Sequence, residues 1–386
     1  MLFWHEFRKT VCGTAYLLFV TVIVIALNSQ GVLDFQNEIV TEPNPSASQN
    51  YGTKYEENPA VIMPAALQSL YAEFRENKYQ TYPVGFVKYV KLDDDKQQKI
   101  AEILSELSGE NPDNASELSV RTDISYAKFK ALMQTADDIL GGGSDYAAKS
   151  LIHYGRVPVT YEEAAKRYEL VKTYDQFTGG YARLFCDYAA AMALSILPVF
   201  PAVIMSMRDR RAKMSELIYI RATPAAKLLL VRYLAVTAAV MLPVLILSYG
   251  SNSSIWRMYS DMKLDYLAPL KYDLGWILPS AMIVIAVSMC LTELTNTPIA
   301  VAVCSLWWFI DINLGIQSVS ASYSLLRLAP RHNAGALSYF MTQDFADNLP
   351  RLIANRLLFA GLSIVLVLVT IVIYEAKRRG KLTWIK

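Results

Sequence analysis

Three histidines and four cysteines in 386 residues leave few parts for hydrolytic or metal chemistry. The chain contains no GxSxG, no HExxH and no CxxC, so no nucleophile, base and oxyanion donors are recognisable together. His5, His153 and His332 fall into no ligand spacing, and His332, between Arg331 and Asn333, reads as a surface polar group. Cys12, Cys186, Cys290 and Cys304 all lie inside or at the edges of apolar runs, which leaves the long polar block without a pair to oxidise. No disulfide framework follows, and a bacterial envelope suits that pattern better than a disulfide-rich extracellular domain. A Walker A sequence is also missing: "GGGSDY" at 141–146 lacks the lysine that reaches phosphates. The acidic "DDD" (93–95) and "ENPDNASE" (110–117) lack the EF-hand spacing and read as solvated charge.

What the chain has in quantity is apolar sequence. Hydrophobic residues make up 53% and charged residues only 19%, which points to a membrane protein. Mostly apolar runs of about bilayer-spanning length occur at 11–28, 188–207, 233–256, 274–292, 294–310 and 357–374, giving six expected spans. "EFRK" before the first run resembles a signal peptide, but the small-residue cleavage pattern is poor and five more runs follow, so an uncleaved first span is expected. Leu2, Phe3, Trp4 and Phe7 give residues 1–10 an interfacial helix pattern. Charge then sets topology. Residues 1–10, 208–232 and 375–386 hold 2, 7 and 5 Lys or Arg, 14 in all, against 7 in 255–273 and 311–356 together. The positive-inside rule places the first three segments, and both termini, in the cytoplasm. The block 29–187, with 24 acids and 16 Lys or Arg for a net −8, is then extracytoplasmic.

That block is long enough to be a domain and its pattern is mainly helical with some strand. Pro64 suits a first helical turn, followed by Leu67, Leu70, Tyr71 and Phe74 on one face. "FVKYVKL" (86–92) alternates as a strand does. Ile100, Ile103, Leu104 and Leu107 form a helical stripe, a later helix should stop at Gly141, and Thr160 with Glu163 is a capping-box pair. The expected organisation is 1–28 as interfacial helix and first span, 29–187 as the extracytoplasmic domain, and 188–386 as spans two to six. The fold class is membrane all-α.

Between the second and third expected spans lies "DRRAKMSELIYIRATPAAKLLL". Ser215 or Met214 can open a short helix with Glu216 in its first turn, Leu217, Ile218 and Tyr219 form an apolar set, and Thr223 and Pro224 begin the next helix. Lipid headgroups held by Arg208, Arg210, Arg211 and Lys213 are one sufficient reading. The whole arrangement, however, resembles the permease subunit of export-type (type 2) ABC transporters, most specifically at Glu216, Leu217, Tyr219, Pro224, Lys227 and Arg232. The glycine often found just before the family's glutamate is absent. The resemblance implies that 208–232 is a cytoplasmic coupling segment, with Arg211, Ser215, Glu216, Leu217, Tyr219 and Pro224 docking into a separate ATPase. It also implies ATP and Mg on that partner and no cofactor in this chain, a second permease copy or a related permease, contact with membrane lipid, and no nucleic acid.

Asp311, in "WWFIDINLG", is the ionisable residue nearest the expected hydrocarbon, and is either a functional carboxylate or an interfacial one beneath Trp307 and Trp308. Glu293 belongs to a tight turn in which Asn296 or Thr297 caps and Pro298 starts a helix. Residues 312–356, apolar but broken by Ser, Pro and Gly, suit re-entrant or interfacial helices. Three functions compete: a permease subunit exporting a hydrophobic or amphipathic peptide, lipid or drug; a membrane sensor or immunity protein; and a secondary transporter or channel. The last normally needs more intramembrane charge than Asp311 alone.

Overall fold

The structure, a computed structural model, describes all residues except 1, 36–38, 46–49, 83–86, 188–190, 215–217, 220–222, 314–322, 332–341 and 382–386. It is mainly helical, with only short strands, and divides into two compact units: Pro43–Ala165, and Met1–Glu42 together with Lys166–Lys386. The first unit lies inside the block 29–187 read as one domain, with 14 residues fewer at one edge and 22 at the other.

The second unit carries the apolar helices. Among the described residues four are long and apolar enough to cross a membrane: α8 (Ala191–Arg211), α9 (Ala225–Met258), α10 (Ala268–Thr295) and α12 (Thr342–Arg378). A fifth candidate is the pair α1 (Leu2–Val11) and α2 (Thr14–Ser29), bent by 65° at the Cys12–Gly13 break. The run expected at 294–310 forms α11 (Ile299–Asn313), whose 15 residues reach only about 22 Å against a hydrocarbon core of about 30 Å. In contrast, α9 and α12, with 34 and 37 residues, extend about 51 and 55 Å. Both exceed the hydrocarbon thickness, and the last turn of α12 ends in Lys377 and Arg378. Tyrosine hydroxyls bond backbone groups within this unit. Tyr16 Oη on α2 donates to Ala239 O on α9 at 2.9 Å, and Tyr259 Oη binds both N (2.8 Å) and O (2.7 Å) of Val40.

The unit Pro43–Ala165 has its own core, built by α3 (Pro59–Glu76), α4 (Asp94–Ser108) and α5 (Tyr126–Leu140). Helix α3 begins five residues before Pro64, because the Asn58 side chain accepts from Ala60 N and Pro59 takes the first helical position. Pro64 therefore lies inside the helix rather than in its first turn. Two antiparallel ribbons are present, β1 (Thr53–Tyr55) with β4 (Arg156–Pro158), and β2 (Tyr79–Thr81) with β3 (Lys88–Val90). Strand β3 is shorter than the 86–92 alternation, and Phe86 lies outside the described residues. Asn77, the left-handed cap of α3, fixes the strand's exit by bonding both N and O of Leu92 at 2.9 Å.

Several acidic and glycine-rich stretches resolve into caps. Asp93 accepts from Lys96 N at 2.9 Å to start α4, with Asp94 and Asp95 in the first turn where carboxylates oppose the helix dipole. Gly141, Gly142 and Gly143 all have φ near +80 to +93°, so the triple glycine is the left-handed exit from α5, held by Ser144 N and Oγ on Asp137 Oδ1, both 2.7 Å. The capping box is present: Glu163 N donates to Thr160 Oγ1 (3.3 Å) and Thr160 N to Glu163 Oε2 (3.2 Å), at the start of α6 (Tyr161–Thr173).

Candidate functional site at the basic end of the helices

Arginines that must hold a fixed place in or near a bilayer need carboxylates, and the basic segments contain two that the sequence reading did not single out. Glu6, in α1, has a side chain only 4% exposed; its Oε2 accepts from Arg208 Nη2 at 2.5 Å and stands 3.6 Å from Arg232 Nε. Asp209 also binds the Arg232 guanidinium. One cluster therefore ties together the first helix, the end of α8 and the first turns of α9. Each acid stands next to basic residues in sequence, Glu6 before Arg8 and Lys9 in "HEFRK" and Asp209 among arginines in "RDRR", and that local mismatch of charge is the signal that marks them.

A second cluster adds the other end of the chain. Arg378, in the last turn of α12, donates through Nε to Tyr219 O (2.8 Å) and through Nη1 to Thr223 O (3.3 Å), while the Tyr219 ring meets Tyr374 edge-on at 5.4 Å. Lys377 Nζ donates to Glu293 O and, at 2.5 Å, to Asn296 Oδ1. Asn296 ends α10 with φ of 63°, and Thr295 and Thr297 share a 3.0 Å hydroxyl contact, giving the tight turn expected before Pro298. Between the clusters lies a small cavity lined by Asp209, Arg210, Tyr219, Arg232, Glu293 and Tyr374. Thus residues of all three basic segments, 1–10, 208–232 and 375–386, meet at one end of the helices.

The residues expected to contact a partner are distributed around that end. Arg211 is exposed and closes α8, Tyr219 is half-buried against α12, and exposed Pro224 precedes the first turn of α9. Ser215, Glu216 and Leu217 lie outside the described residues. Exposed Ala212, Lys213 and Met214 lead up to them.

Asp311 sits in a different place. It is 3% exposed, and its two carboxylate oxygens accept from Leu328 N (2.8 Å) and Ala329 N (3.1 Å), while Arg327 and Arg331 bind the carbonyls of Asp311 and Ile312. Asn355 and Arg356 on α12 gather the carbonyls of Ser324, Leu325 and Arg327 from the other side. Asp311 thus anchors residues 323–331 of the segment 312–356 read as re-entrant or interfacial helices, whose described residues 342–356 are instead the first turns of α12. His332 and Asn333 lie outside the described residues.

An apolar crevice opens between α2, α8 and α11, lined by Val22, Ala26, Met192, Ile196, Leu197 and Trp308. Trp308 is fixed there by its Nε1 donating to Met192 O at 3.0 Å. Among the described residues no three His, Cys, Asp or Glu side chains gather as a metal site would require. The chain matches no protein-family model, no curated protein and no solved structure.

Proposed function

We propose that the chain is the membrane-spanning subunit of an ATP-driven exporter in a bacterial plasma membrane, powered by a separate ATPase that docks on segment 208–232. In this reading six spans cross the membrane, α11 and its neighbouring turns completing the sixth, with the basic end cytoplasmic and the unit Pro43–Ala165 outside. A second copy or a related permease completes the transport path, and ATP and Mg remain on the partner.

One observation carries the proposal: the segment between α8 and α9 is fastened at both flanks to other helices. Arg208 and Asp209 tie its entry to Glu6 and Arg232, and Arg378 ties Tyr219 and Thr223 to the end of α12. A force on exposed residues 211–214 is therefore delivered to α1, α8, α9 and α12 together, as coupling through a packed network requires. A headgroup-binding loop needs no such fastening. Nucleotide-driven closure of the partner would then shift the helices between two packings. The apolar crevice beside Trp308 suits a hydrophobic or amphipathic cargo reaching the path from lipid.

The test is purification of the tagged chain in mild detergent with ATPase activity measured in the eluate. Wild type should carry an ATPase; Glu216→Ala should lose it, and Arg378→Ala should retain it with weaker coupling to cargo. A stable, ATPase-free oligomer from native membranes would sink the reading. One observation favours a second reading, an ion-coupled transporter: a buried carboxylate, Asp273, lies within α10, one residue outside the run that the sequence marks as a span.

A further inference from the structure

The chain passes between its two compact units twice, after Glu42 and after Ala165, the second time within α6. On the side of the apolar helices, one residue meets both passages. Tyr259, which closes the C-terminal end of α9, accepts through Oη from Val40 N at 2.8 Å and donates to Val40 O at 2.7 Å, just before the first passage. Its ring stacks on Phe177 at 4.4 Å, in the turn that follows α6. Tyr181, on α7 (Thr178–Phe185), joins the two sides: its hydroxyl lies 3.2 Å from that of Tyr259 and 3.3 Å from Val40 N. Val40, Phe177, Tyr181 and Tyr259 are all buried.

Phe177 reaches that stack at a cost in its own backbone. Gln176 has φ of 46°, Phe177 has φ of 57° with ψ of −64°, and Thr178 N donates back to Gln176 O at 2.6 Å. That is a γ-turn of positive φ, rare and strained, and the more so around a bulky side chain. The turn is held from outside. Asp175, 2% exposed, accepts from both Nη groups of Arg183, at 2.5 and 2.9 Å, and from the hydroxyl of Thr342, the first residue of α12, at 2.6 Å. Phe177 N itself donates to Val171 O at 3.0 Å. Strain of this kind persists only where the surroundings over-determine it, and it collects at clamps and switches.

We propose that Tyr259 is the latch of a two-state clasp, closed in this structure on both passages, and that displacement of the end of α9 releases residues 39–42 and 174–180 together. In the closed state the hydroxyl bonds and the stack hold the γ-turn. Once Tyr259 withdraws, Phe177 loses the surface that compensates its backbone, and the turn relaxes to negative φ. Packed elements switch between discrete arrangements rather than deforming continuously, so segments as remote in sequence as Val40 and Tyr181, 141 residues apart, open as one unit. The clasp gives α9, tied near its other end to Glu6 and Asp209 through Arg232, control over how freely the two tethers of the unit Pro43–Ala165 move. The inference needs no ATPase, so its failure and that of the exporter reading are separate results.

The test is hydrogen exchange of the full-length chain in detergent, read by mass spectrometry on peptides covering 39–42 and 174–180. Two variants each cut one side directly. Tyr259→Phe keeps the stacked ring and removes the bonds to Val40, whereas Phe177→Leu keeps an apolar side chain and removes the stack. Each should raise exchange several-fold in both peptides and leave that of α3, α4 and α5 unchanged. The double variant should add little to either single one, because a clasp already open cannot open again. Should Phe177→Leu fail to fold, Tyr259→Phe decides alone through 174–180, the side it does not cut. Loosening confined to the cut side overturns the proposal, as do increases that simply add in the double variant. Unchanged exchange in both peptides overturns it equally.

Discussion

At the scale of single residues, the structure turns on carboxylates whose surroundings differ. Glu6 is buried against two guanidinium groups, so removing its charge strips Arg208 of its close carboxylate partner and leaves Arg232 with Asp209 alone. Loss of one partner of a buried pair costs about 3–5 kcal/mol, far more than a surface pair is worth. Glu6→Gln should therefore lower Tm clearly, and Arg208→Gln added to it should cost much less than it does alone. Additive losses in that double-mutant cycle would show that the pair is not coupled. Glu73, in the unit Pro43–Ala165, behaves oppositely. Burial pushes its carboxyl above its ordinary value near 4.5, while Tyr146 Oη, donating at 2.7 Å, and Gln80 N, at 3.0 Å, pull it back. A raised carboxyl pKa means that the folded state holds the proton more tightly than the unfolded one. Its contribution is then full at pH values below 4.5 and is lost as pH climbs through the raised folded value. His153 reinforces the trend, since the Asp145 carboxylate at 3.1 Å lifts its pKa, giving stability present in mild acid and lost with rising pH. Hydrogen exchange of α3 and α5 in the intact protein should accelerate from pH 5 to pH 8, after correction for intrinsic rates. Glu73→Gln should flatten that slope, and an unchanged slope would remove Glu73 from the account.

At the scale of elements, the Arg378 contacts make a sharp prediction. Arg378→Ala removes bonds to Tyr219 O and Thr223 O without opening a core, since the side chain is about one quarter exposed. Global Tm should move by less than about 1 kcal/mol equivalent, because partly exposed polar contacts contribute little. Exchange or proteolysis at 211–224 should rise several-fold; equal protection in both proteins would mean that other contacts hold the segment. Sequence pattern foresaw much at this scale. Four of the six apolar runs as long helices, the Gly141 stop, the Thr160–Glu163 box and the turn at Asn296 were readable, because each depends on residues within a few positions of one another. What escaped it depends on distance along the chain. Glu6 meets Arg208 and Arg232 across more than 200 residues, and no periodicity announces a partner so remote. Asp273 was missed for another reason: a window that seeks uncharged residues ends its span at the first acid, although the helix continues through it. Asp311 was visible as a candidate intramembrane carboxylate, but its bonds to the backbone amides of 328 and 329 are a matter of chain path alone.

At the scale of the whole molecule, the gathering of the three basic segments is the fact with the widest reach. Fourteen Lys and Arg lie in 1–10, 208–232 and 375–386, and the ion pairs and carbonyl contacts of Glu6, Arg208, Arg232 and Arg378 bring residues of all three to one end. Positive charge concentrated at one end of a set of apolar helices is what retention on the cytoplasmic face selects. In the proposed topology the acidic block, net −8 over 29–187, lies on the other face. Impermeant maleimide labelling checks this directly in a Cys12→Ser background, because Cys12 is the exposed native thiol while Cys186, Cys290 and Cys304 are buried. Glu102→Cys, on the exposed side of α4, should label in intact cells, and Lys213→Cys only after the membrane is opened. Labelling of both from the same side would break the six-span topology, and with it the placement of an ATPase on segment 208–232. The opposite pattern, Lys213→Cys labelled from outside, would invert the molecule and leave its basic end facing a compartment without ATP.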